Sequence, residues 1–504
     1  MAYRYGNREQ MELFPASIED YVSQDDPVRA YDAFVEALDF DELGIILEEH
    51  KVGNSEYFPK AMLKLIVYGY SYGFRSSRKL ERATYHNVSF IWLMAGLKPD
   101  HKTIARFRKD NKHILKNILK QCARMCLKLG LIAGNTLFAD SSKIRANASI
   151  KNTWTKEKCE KYLKTIDKRI DAILCECDSI DEEEQGQSSL VELKEELRDK
   201  EALKSKVNKI MKELKDEKIK SINTVDKECT RINSVQGSHA GYSAQTAVDE
   251  KYGLIVNTDV VSENNDLNQF ANQISQANET LGKKCDTACA DSGYANTDEL
   301  EKIDGKDIKV IVPSQRQASK KEPDEFDKER FHYDSKNDCY ICPEGHQLLY
   351  RYTNKQEKNK IYKISKSSIC NQCRQFKKCT KSKQGRKIHR LLNEEVRERL
   401  EAQYEQPENQ AIYKLRKQKV ELPFGHIKRN LKVNAFLLRG RDGAKAEMSL
   451  LASCFNIARM MSILGVSGLI KELIHLDRRE ILYLLQKSSL VTPNFPVLCQ
   501  RTLL

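Results

Sequence analysis

The apolar positions of the chain follow a helical spacing in its first part and a strand-like spacing further on. FPKAMLKLIVYGYSYG, residues 58–73, has an apolar face and ends at a glycine, which predicts a helix. Later, GYSAQTAVD and GLIVNTDVV are two β-rich runs separated only by residues 250–252, which predicts a hairpin. The pattern therefore indicates helices up to about residue 130 and a sheet beyond it.

Three shorter apolar runs predict further buried strands, and two of them lead directly to an acid. Thr136–Ala139 is followed by Asp140. Cys285–Ala290 is followed by Asp291 in a loop, and Lys309–Pro313 is a fifth strand. A strand, a hairpin, a helix and two more strands predict an α/β fold with an RNase H-like mixed sheet. An acid after a buried strand is either solvated at the sheet edge or placed there for chemistry.

A third acid lies in YKLRKQKVELPFGHIK, residues 413–428, which is rich in helix formers. Glu421 and Lys428 lie two turns apart on one face of the predicted helix, and Lys417 can pair with Glu421 four residues later. Pro423 removes one backbone donor. We therefore expect the helix to kink or restart at that proline.

A Cys-rich segment precedes this helix. Cys339-x2-Cys342 and Cys370-x2-Cys373 have the spacing of two zinc knuckles. We expect these four thiolates to bind a structural Zn²⁺, with Cys379 as an additional candidate ligand. The alternative is a cluster of reduced, buried cysteines.

Two helical segments flank the first predicted strand. The short N-terminal helices predict a helix-turn-helix-like DNA-binding region. Its expected surface cations are Arg75, Arg78, Lys79, Arg106, Arg108 and Lys109. Residues 156–217 are rich in Lys and Glu and predict a hairpin of two charged helices. This hairpin could contact DNA or a second subunit, but a solvated spacer is the interpretation we favour.

The amino-acid composition favours a polyanionic binding partner. The 504 residues include 85 Lys or Arg against 72 Asp or Glu, a net charge of +13. Residues 351–390 hold fourteen Lys or Arg and a single acid, Glu357, with tyrosines interleaved. Such a run favours contact with a nucleic-acid backbone and stacking on its bases. Net charge by itself is equally compatible with a merely basic protein.

The sequence gives no indication of secretion or of a membrane span. MAYRYGNREQMELF has no apolar signal-peptide core, and the apolar stretch 448–470 is interrupted by Asn456 and Arg459, which predicts a buried helix. Fifteen cysteines, an odd number without a secretory signal, argue against a disulfide framework. We therefore expect a reducing cytoplasm.

Asp140, Asp291 and Glu421 are thus three acids on separate predicted elements. If they converge, they repel one another unless cations lie between them, and their hard oxygen ligands select Mg²⁺ or Mn²⁺. Two such ions would activate a water or a 3′-hydroxyl for in-line attack on a phosphodiester. In a chain with 72 acids this spacing is a modest signal.

The sequence resembles a DDE transposase of a bacterial insertion sequence, in the branch marked by a Tyr-Arg-Glu-Lys signature. The stretches that carry the resemblance are YGYSYGFRSSRKLE, LKPDHKTIARFRK, FADSSKIRANAS, GYSAQTAVD, ADSGYAN, YKLRKQKVELPFGHIK and FLLRGRDGAKAEMSLLASCFNIAR. The metal ligands that it implies are Asp140, Asp291 and Glu421, and the residues that it implies grip the transposon end are Tyr413, Arg416 and Lys428. The signature has three residues between its Arg and Glu, whereas Arg416 and Glu421 are separated by four. Lys417 has the expected register, so either cation could fill that position.

The resemblance implies an Mg²⁺-dependent DNA transposase, a polynucleotidyl transferase that cuts insertion-sequence ends and joins them to target DNA. We expect a cytoplasmic, nucleoid-associated protein that acts as a homodimer on DNA. The alternatives are a nuclease of the same fold that cuts without joining and a catalytically inactive DNA-binding protein derived from a transposase. The expected domains are 1–130 (helical, DNA-binding), 131–154 (first part of the catalytic core), 155–218 (charged helical insertion), 219–316 (second part of the core), 317–392 (basic, Cys-rich, zinc-ribbon-like insertion), 393–465 (last part of the core) and 466–504 (C-terminal tail).

Overall fold

The computed structural model describes residues 17–45, 56–182, 187–217, 219–234, 237–320 and 322–476. Its helices are α1 (Pro27–Glu36), α2 (Pro59–Ser71), α3 (Ser77–His86), α4 (Val88–Leu93), α5 (His101–Asp110), α6 (Lys112–Lys128), α7 (Lys156–Glu182), α8 (Gln187–Asp216), α9 (Phe270–Leu281), α10 (Thr297–Asp304), α11 (Gln315–Ser319), α12 (Ser367–Asn371), α13 (Glu394–Tyr404), α14 (Pro407–Arg429), α15 (Arg441–Leu464) and α16 (Val466–Leu476). Its strands are β1 (Thr136–Arg145), β2 (Thr153–Thr155), β3 (Ser221–Asn223), β4 (Thr230–Ser234), β5 (Gly237–Asp249), β6 (Ile255–Val261), β7 (Thr287–Cys289), β8 (Lys309–Ile311), β9 (His332–Asp334), β10 (Cys339–Ile341), β11 (Gln347–Asn354), β12 (Asn359–Ile364) and β13 (Lys387–Leu391).

The central element is a mixed sheet of six strands. Its main path runs β4-β5-β1-β7-β8, and β6 pairs with β5 as the predicted hairpin. β1 is antiparallel to β5 but parallel to β7, which in turn is parallel to β8. The sheet therefore changes from antiparallel to parallel pairing at β1, the strand that carries the first acid.

One predicted boundary in this sheet is wrong. β1 does not end at Ala139 but continues to Arg145, so Asp140 lies within the strand, opposite Thr246. The reason is that β5 keeps pairing with β1 as far as Gly241, long after the parallel partner β7 has ended. The polar residues after Asp140 look like a strand end in the sequence, yet their backbone groups are paired.

The N-terminal helices share their apolar core with the sheet. One continuous cluster of buried side chains runs from α1 through the sheet to α15. A buried ion pair between Arg75 and Glu447, 2.6 Å from nitrogen to oxygen, also joins the two parts. α15 itself is the buried helix predicted for the apolar C-terminal stretch, and its Asn456 amide exchanges two hydrogen bonds with the backbone of Ile255. Burial of that asparagine is therefore satisfied.

In the part of the chain that the structure describes, no single helix is long and apolar enough to cross a bilayer. α15 and α16 pass that test only when taken together, and the pair is bent by 110°. Most of α15 is buried inside the protein instead.

The two insertions have small cores of their own. α7 and α8 form the predicted helical hairpin around a cluster that includes Ile166 and Val207. The Cys-rich segment forms a five-stranded antiparallel sheet in the order β13-β12-β11-β10-β9. Its buried cluster contains Phe331, Tyr340, Leu348, Tyr362, Ile364 and Ile388. We call residues 322–392 the Cys-rich module.

The helix that carries the third acid is longer than predicted. α14 begins at Pro407 and continues through Pro423 to Arg429, so it does not restart at that proline. Pro423 is buried together with Val420, Phe424 and Ile427. Packing of this apolar side against the core offsets the lost backbone hydrogen bond.

Candidate active site

Asp140 and Asp291 lie side by side because of the strand register. The last residues paired between β1 and β7 are Phe138 and Cys289, and each aspartate comes two residues after its strand's member of that pair. Residues that follow equivalent register positions of neighbouring parallel strands lie next to each other, so the two aspartates are adjacent although β1 itself continues past Asp140. The predicted juxtaposition of the first two acids is therefore present in the fold.

Arg416, on α14, connects the two acids. Its Nη1 atom is 3.2 Å from Oδ1 of Asp140, and its Nη2 atom is 3.8 Å from Oδ2 of Asp291. The guanidinium carbon also lies 5.6 Å from the ring centroid of Tyr413, one turn earlier on the helix. Two carboxylates, one cation and one aromatic ring thus form a single cluster, which we call the acid pair site.

The electrostatics of this cluster favour additional positive charge. Burial raises the pKa of Asp140 to about 6, although Arg416 opposes the rise, and Asp291 adds to it. Burial lowers the pKa of the Arg416 guanidinium, but the two carboxylates outweigh that effect and raise it overall. One guanidinium cannot neutralise two carboxylates, so at neutral pH the site keeps a net negative charge that a cation would stabilise.

Glu421 is not part of the cluster in this structure. Its side chain is 65% exposed, and its nearest cation is Lys417, at 4.0 Å. The cause is the rotation of α14, because Val420 faces the core and the next residue lies about 100° further round the helix. Within the described part of the chain, no three His, Cys, Asp or Glu side chains are arranged to hold a metal ion. The structure therefore brings together two of the three predicted ligands.

The geometry distinguishes the two cations that compete for one signature position. Arg416 is only 12% exposed and faces the acids, whereas Lys417 is 77% exposed and faces away. Lys428, a third predicted DNA contact, donates a hydrogen bond of 2.6 Å from Nζ to Oγ of Ser142, two residues after Asp140. Arg416 and Lys428 are thus the two predicted cations that lie closest to the first acid's strand.

Asp266 is a further acid beside the site, and it is not among the residues predicted from the sequence. It lies beside β1 and accepts hydrogen bonds from Oγ of Ser141 (2.8 Å) and Nε2 of Gln245 (2.6 Å). Burial raises the pKa of Tyr294, and Asp266, Asp140 and Asp291 add to it, which locates all three acids around that phenol. The signal that could have identified Asp266 is the row of polar residues at alternate positions of two otherwise buried strands.

The predicted DNA contacts in the N-terminal helices divide into exposed and buried ones. Arg106 is exposed, as expected for a DNA contact. Arg108 is buried and donates hydrogen bonds to Tyr70, the Arg75 carbonyl and Ser77. Its prediction as a surface contact is wrong, because its charge serves to join α2, α3 and α5. Arg75 is likewise buried.

The cysteines of the predicted zinc site lie in two different environments. Cys342, Cys370, Cys373 and Cys379 line one small cavity in the Cys-rich module. Cys339 is fully buried within β10 and does not line that cavity. The expected set of four is therefore not brought together, whereas the additional candidate, Cys379, lies beside three of its members. No disulfide joins the cysteines that the structure describes.

Comparison with known protein families identifies the class to which this fold and site belong. Residues 341–461 match the model described as "Transposase DDE domain", and residues 16–110 match "Transposase domain (DUF772)". A search of curated proteins found no match. The protein is thus a transposase, with one match in the N-terminal helices and the other across most of the Cys-rich module, α14 and most of α15. More narrowly, it is a DDE transposase of the insertion-sequence type, as the resemblance implied.

Proposed function

We propose that this transposase cuts the ends of its insertion sequence and transfers the freed strand to target DNA by two-metal-ion catalysis. The observation that carries the proposal is the pair Asp140 and Asp291, which are adjacent by strand register and share the Arg416 guanidinium. Glu421 is the third ligand in this proposal. It lies within the segment that matches the DDE domain and on the same helix as Arg416.

The topology of the sheet supports an RNase H-like assignment of the core. In chain order its five central strands are β1, β5, β6, β7 and β8, and their spatial order is β6-β5-β1-β7-β8. The second strand is antiparallel to both its neighbours, and the first, fourth and fifth are parallel. This is the arrangement expected from a strand, a hairpin, a crossover helix and two more strands.

The donor set at the acid pair site fits a hard divalent cation. Its oxygen ligands are carboxylates, and the guanidinium between them marks a position where positive charge is already held. Mg²⁺ or Mn²⁺ bound by Asp140, Asp291 and Glu421 would supply activation of the attacking oxygen and stabilisation of the leaving one. A zinc ion in the Cys-rich module would have a structural role only.

The remaining residues of α14 bind and orient the DNA in this proposal. The Arg416 guanidinium can release a carboxylate and bind a DNA phosphate instead, because its planar set of N–H donors matches the oxygens of both groups. Lys428 lies next to the first acid's strand and Lys417 points outwards, so the two cations can follow the phosphate backbone on either side. The ring of Tyr413 makes a cation–π contact with the Arg416 guanidinium. Arg106 can add a contact from α5.

A cleavage and joining assay tests this function. The substrate is labelled duplex carrying the ends of the element that encodes the chain, incubated with a target plasmid and Mg²⁺ or Mn²⁺. We expect nicking at the ends and joined products, both abolished in Asp140→Asn, Asp291→Asn and Glu421→Gln. Glu408→Gln, an exposed acid in the first turn of the same helix, is the matched control and should remain active.

The same assay separates the rival functions. A nuclease would give nicks without joined products, and an inactive DNA-binding protein would shift end DNA without cutting it in either metal. Both ends must be held together for transfer, so we also propose a homodimer on DNA. Light scattering of the complex with end DNA should give a mass of two chains and two ends, whereas a complex of one chain and one end would contradict the dimer.

A further inference from the structure

The Cys-rich module contains a cluster of thiols that the proposed transposition chemistry does not use. Four cysteines, Cys342, Cys370, Cys373 and Cys379, line a single cavity of about 30 Å³. A space of this size holds about one water-sized particle. Five of the other lining residues are apolar, and the remaining ones are Glu344, His346, Gln375 and Arg386. Four of the six side chains around the cavity that could bind zinc are therefore thiols.

Backbone donors already point at two of these sulfurs. The amide of His346 donates to Sγ of Cys342 over 3.3 Å, and the amide of Gln375 donates to Sγ of Cys373 over 3.4 Å. The turns that carry Cys342 and Cys373 therefore hold both sulfurs in defined positions beside the cavity.

Cys379 is held at the same cavity by an independent set of contacts. Its amide donates to the carbonyl of Gln375 over 2.8 Å, which closes the turn that begins after Cys373. Its own carbonyl accepts a hydrogen bond of 2.9 Å from Arg386, whose guanidinium also reaches the carbonyl of Phe326. Cys379 is thus fixed beside the same cavity as Cys342, Cys370 and Cys373.

Cys339 belongs to a different environment, although its spacing to Cys342 is that of a knuckle. It lies within β10, opposite Asp334 on β9 and Leu349 on β11, and it is completely buried there. Successive side chains of a strand point to opposite faces of the sheet. Leu348, which lines the cavity, is paired with Tyr340, so Cys339, paired with Leu349, lies on the opposite face. Cys339 therefore has a packing role.

We infer that Cys342, Cys370, Cys373 and Cys379 bind one structural Zn²⁺, and that Cys339 does not. The sulfurs are not yet arranged to hold a metal in the described chain, so binding would draw their turns together. Two features favour this over a set of reduced thiols. The module's buried cluster has only six members, and a core of this size ordinarily needs a cross-link or a metal. A zinc centre with four thiolates is anionic, and the surrounding residues 351–390 are strongly basic.

The test measures zinc in the purified full-length chain, after removal of loosely bound metal, by elemental mass spectrometry. The expected result is about one zinc per chain, as in other four-cysteine structural sites. Cys379→Ser should lose it and Cys339→Ser should keep it. The reverse outcome, with zinc lost in Cys339→Ser and kept in Cys379→Ser, would overturn the ligand assignment, and a wild-type chain without zinc would overturn the site.

Two further measurements keep the inference testable if Cys379→Ser misfolds. Cys379→His, which can still supply a ligand, should regain zinc, whereas Cys379→Ala should not. Co²⁺ added to the metal-free wild type should give the intense thiolate-to-metal absorption of a tetrahedral sulfur site, and its absence would contradict the proposal. Asp140→Asn should keep its zinc while losing strand cleavage, so failure of the zinc site and failure of the transposase proposal have different signatures.

Discussion

The central sheet and the Cys-rich module place their functional side chains by different means. In the sheet, Leu137, Phe138 and Ala139 are completely buried immediately before Asp140, and helices cover both faces. In the module, strand β11 exposes Leu349 and Tyr352, and only six side chains form the buried cluster. Apolar burial alone can fix the carboxylates of the sheet, whereas in our proposal a zinc ion would fix the cysteines of the module.

The largest effect should come from the acids of the sheet. Asp140→Asn or Asp291→Asn should reduce cleavage of end DNA by at least about 10³-fold, which corresponds to about 4 kcal/mol of transition-state stabilisation. The physical reason is the loss of a carboxylate that holds positive charge at the reacting phosphate. Single-turnover cleavage rates measure the change. Rates within threefold of the wild type would show that the acid pair takes no part in the chemistry.

Truncations of buried side chains compare the stability of the central sheet with that of the Cys-rich module. Phe138→Ala, in the fully buried part of β1, should lower the free energy of unfolding by about 3–4 kcal/mol. Leu348→Ala, equally buried in the module, should cost about 2–3 kcal/mol and open the module without opening the sheet. Hydrogen exchange read by mass spectrometry separates the two. Faster exchange in β1 and β5 of Leu348→Ala would mean that the regions unfold together.

A smaller effect is expected from the two adjacent cations on α14. Arg416→Ala should slow cleavage by about 10–100-fold, equivalent to about 1.4–2.7 kcal/mol, because it removes the guanidinium that orients the acids and the phosphate. Lys417→Ala, with its exposed ammonium, should change the rate by less than about threefold. The opposite ranking would assign the signature position to Lys417.

The smallest effect concerns pH. The pKa of Asp140 is raised to about 6, so between about pH 4 and pH 6 the folded, metal-free chain binds more protons than the unfolded one. Stability should therefore fall as the pH rises through this interval, by roughly 1–2 kcal/mol after allowance for the partial exposure of the group. Denaturant melts at a series of pH values measure it. Asp140→Asn should lack this component, and an identical profile in the variant would contradict the assignment.

The sequence predicted those features that depend on local periodicity. The β5–β6 hairpin follows from its β-rich runs, the α7–α8 hairpin from its Lys- and Glu-rich composition, and the buried helix α15 from its apolar composition. The two short runs before Asp140 and Asp291 correctly indicated strands. The features that it missed depend on pairing across the chain. β1 continues past Asp140 because β5 offers a partner, which the polar residues of β1 do not reveal.

Charge and cysteine spacing were less reliable guides to position. Arginine is usually a surface residue, but Arg108 is buried. It donates hydrogen bonds to Tyr70 on α2, to Ser77 on α3 and to the carbonyl of Arg75 between them. The knuckle spacing favoured Cys339 as a ligand over Cys379, whereas in the structure Cys379 lines the cavity and Cys339 is paired within a strand. Asp266 was not identified from the sequence for the same reason, since its hydrogen-bond partners Ser141 and Gln245 lie on β1 and β5.

The most direct test of the central claim is to map the catalytic metal site on the polypeptide itself. Fe²⁺ in place of Mg²⁺ generates hydroxyl radicals that cut the backbone next to the bound ion, and the fragments can be sized and sequenced. With end DNA present, we predict cuts near residues 140, 291 and 421, all suppressed by excess Mg²⁺. Cuts near 140 and 291 but not near 421, or cuts confined to another part of the chain, would contradict a metal site shared by all three acids.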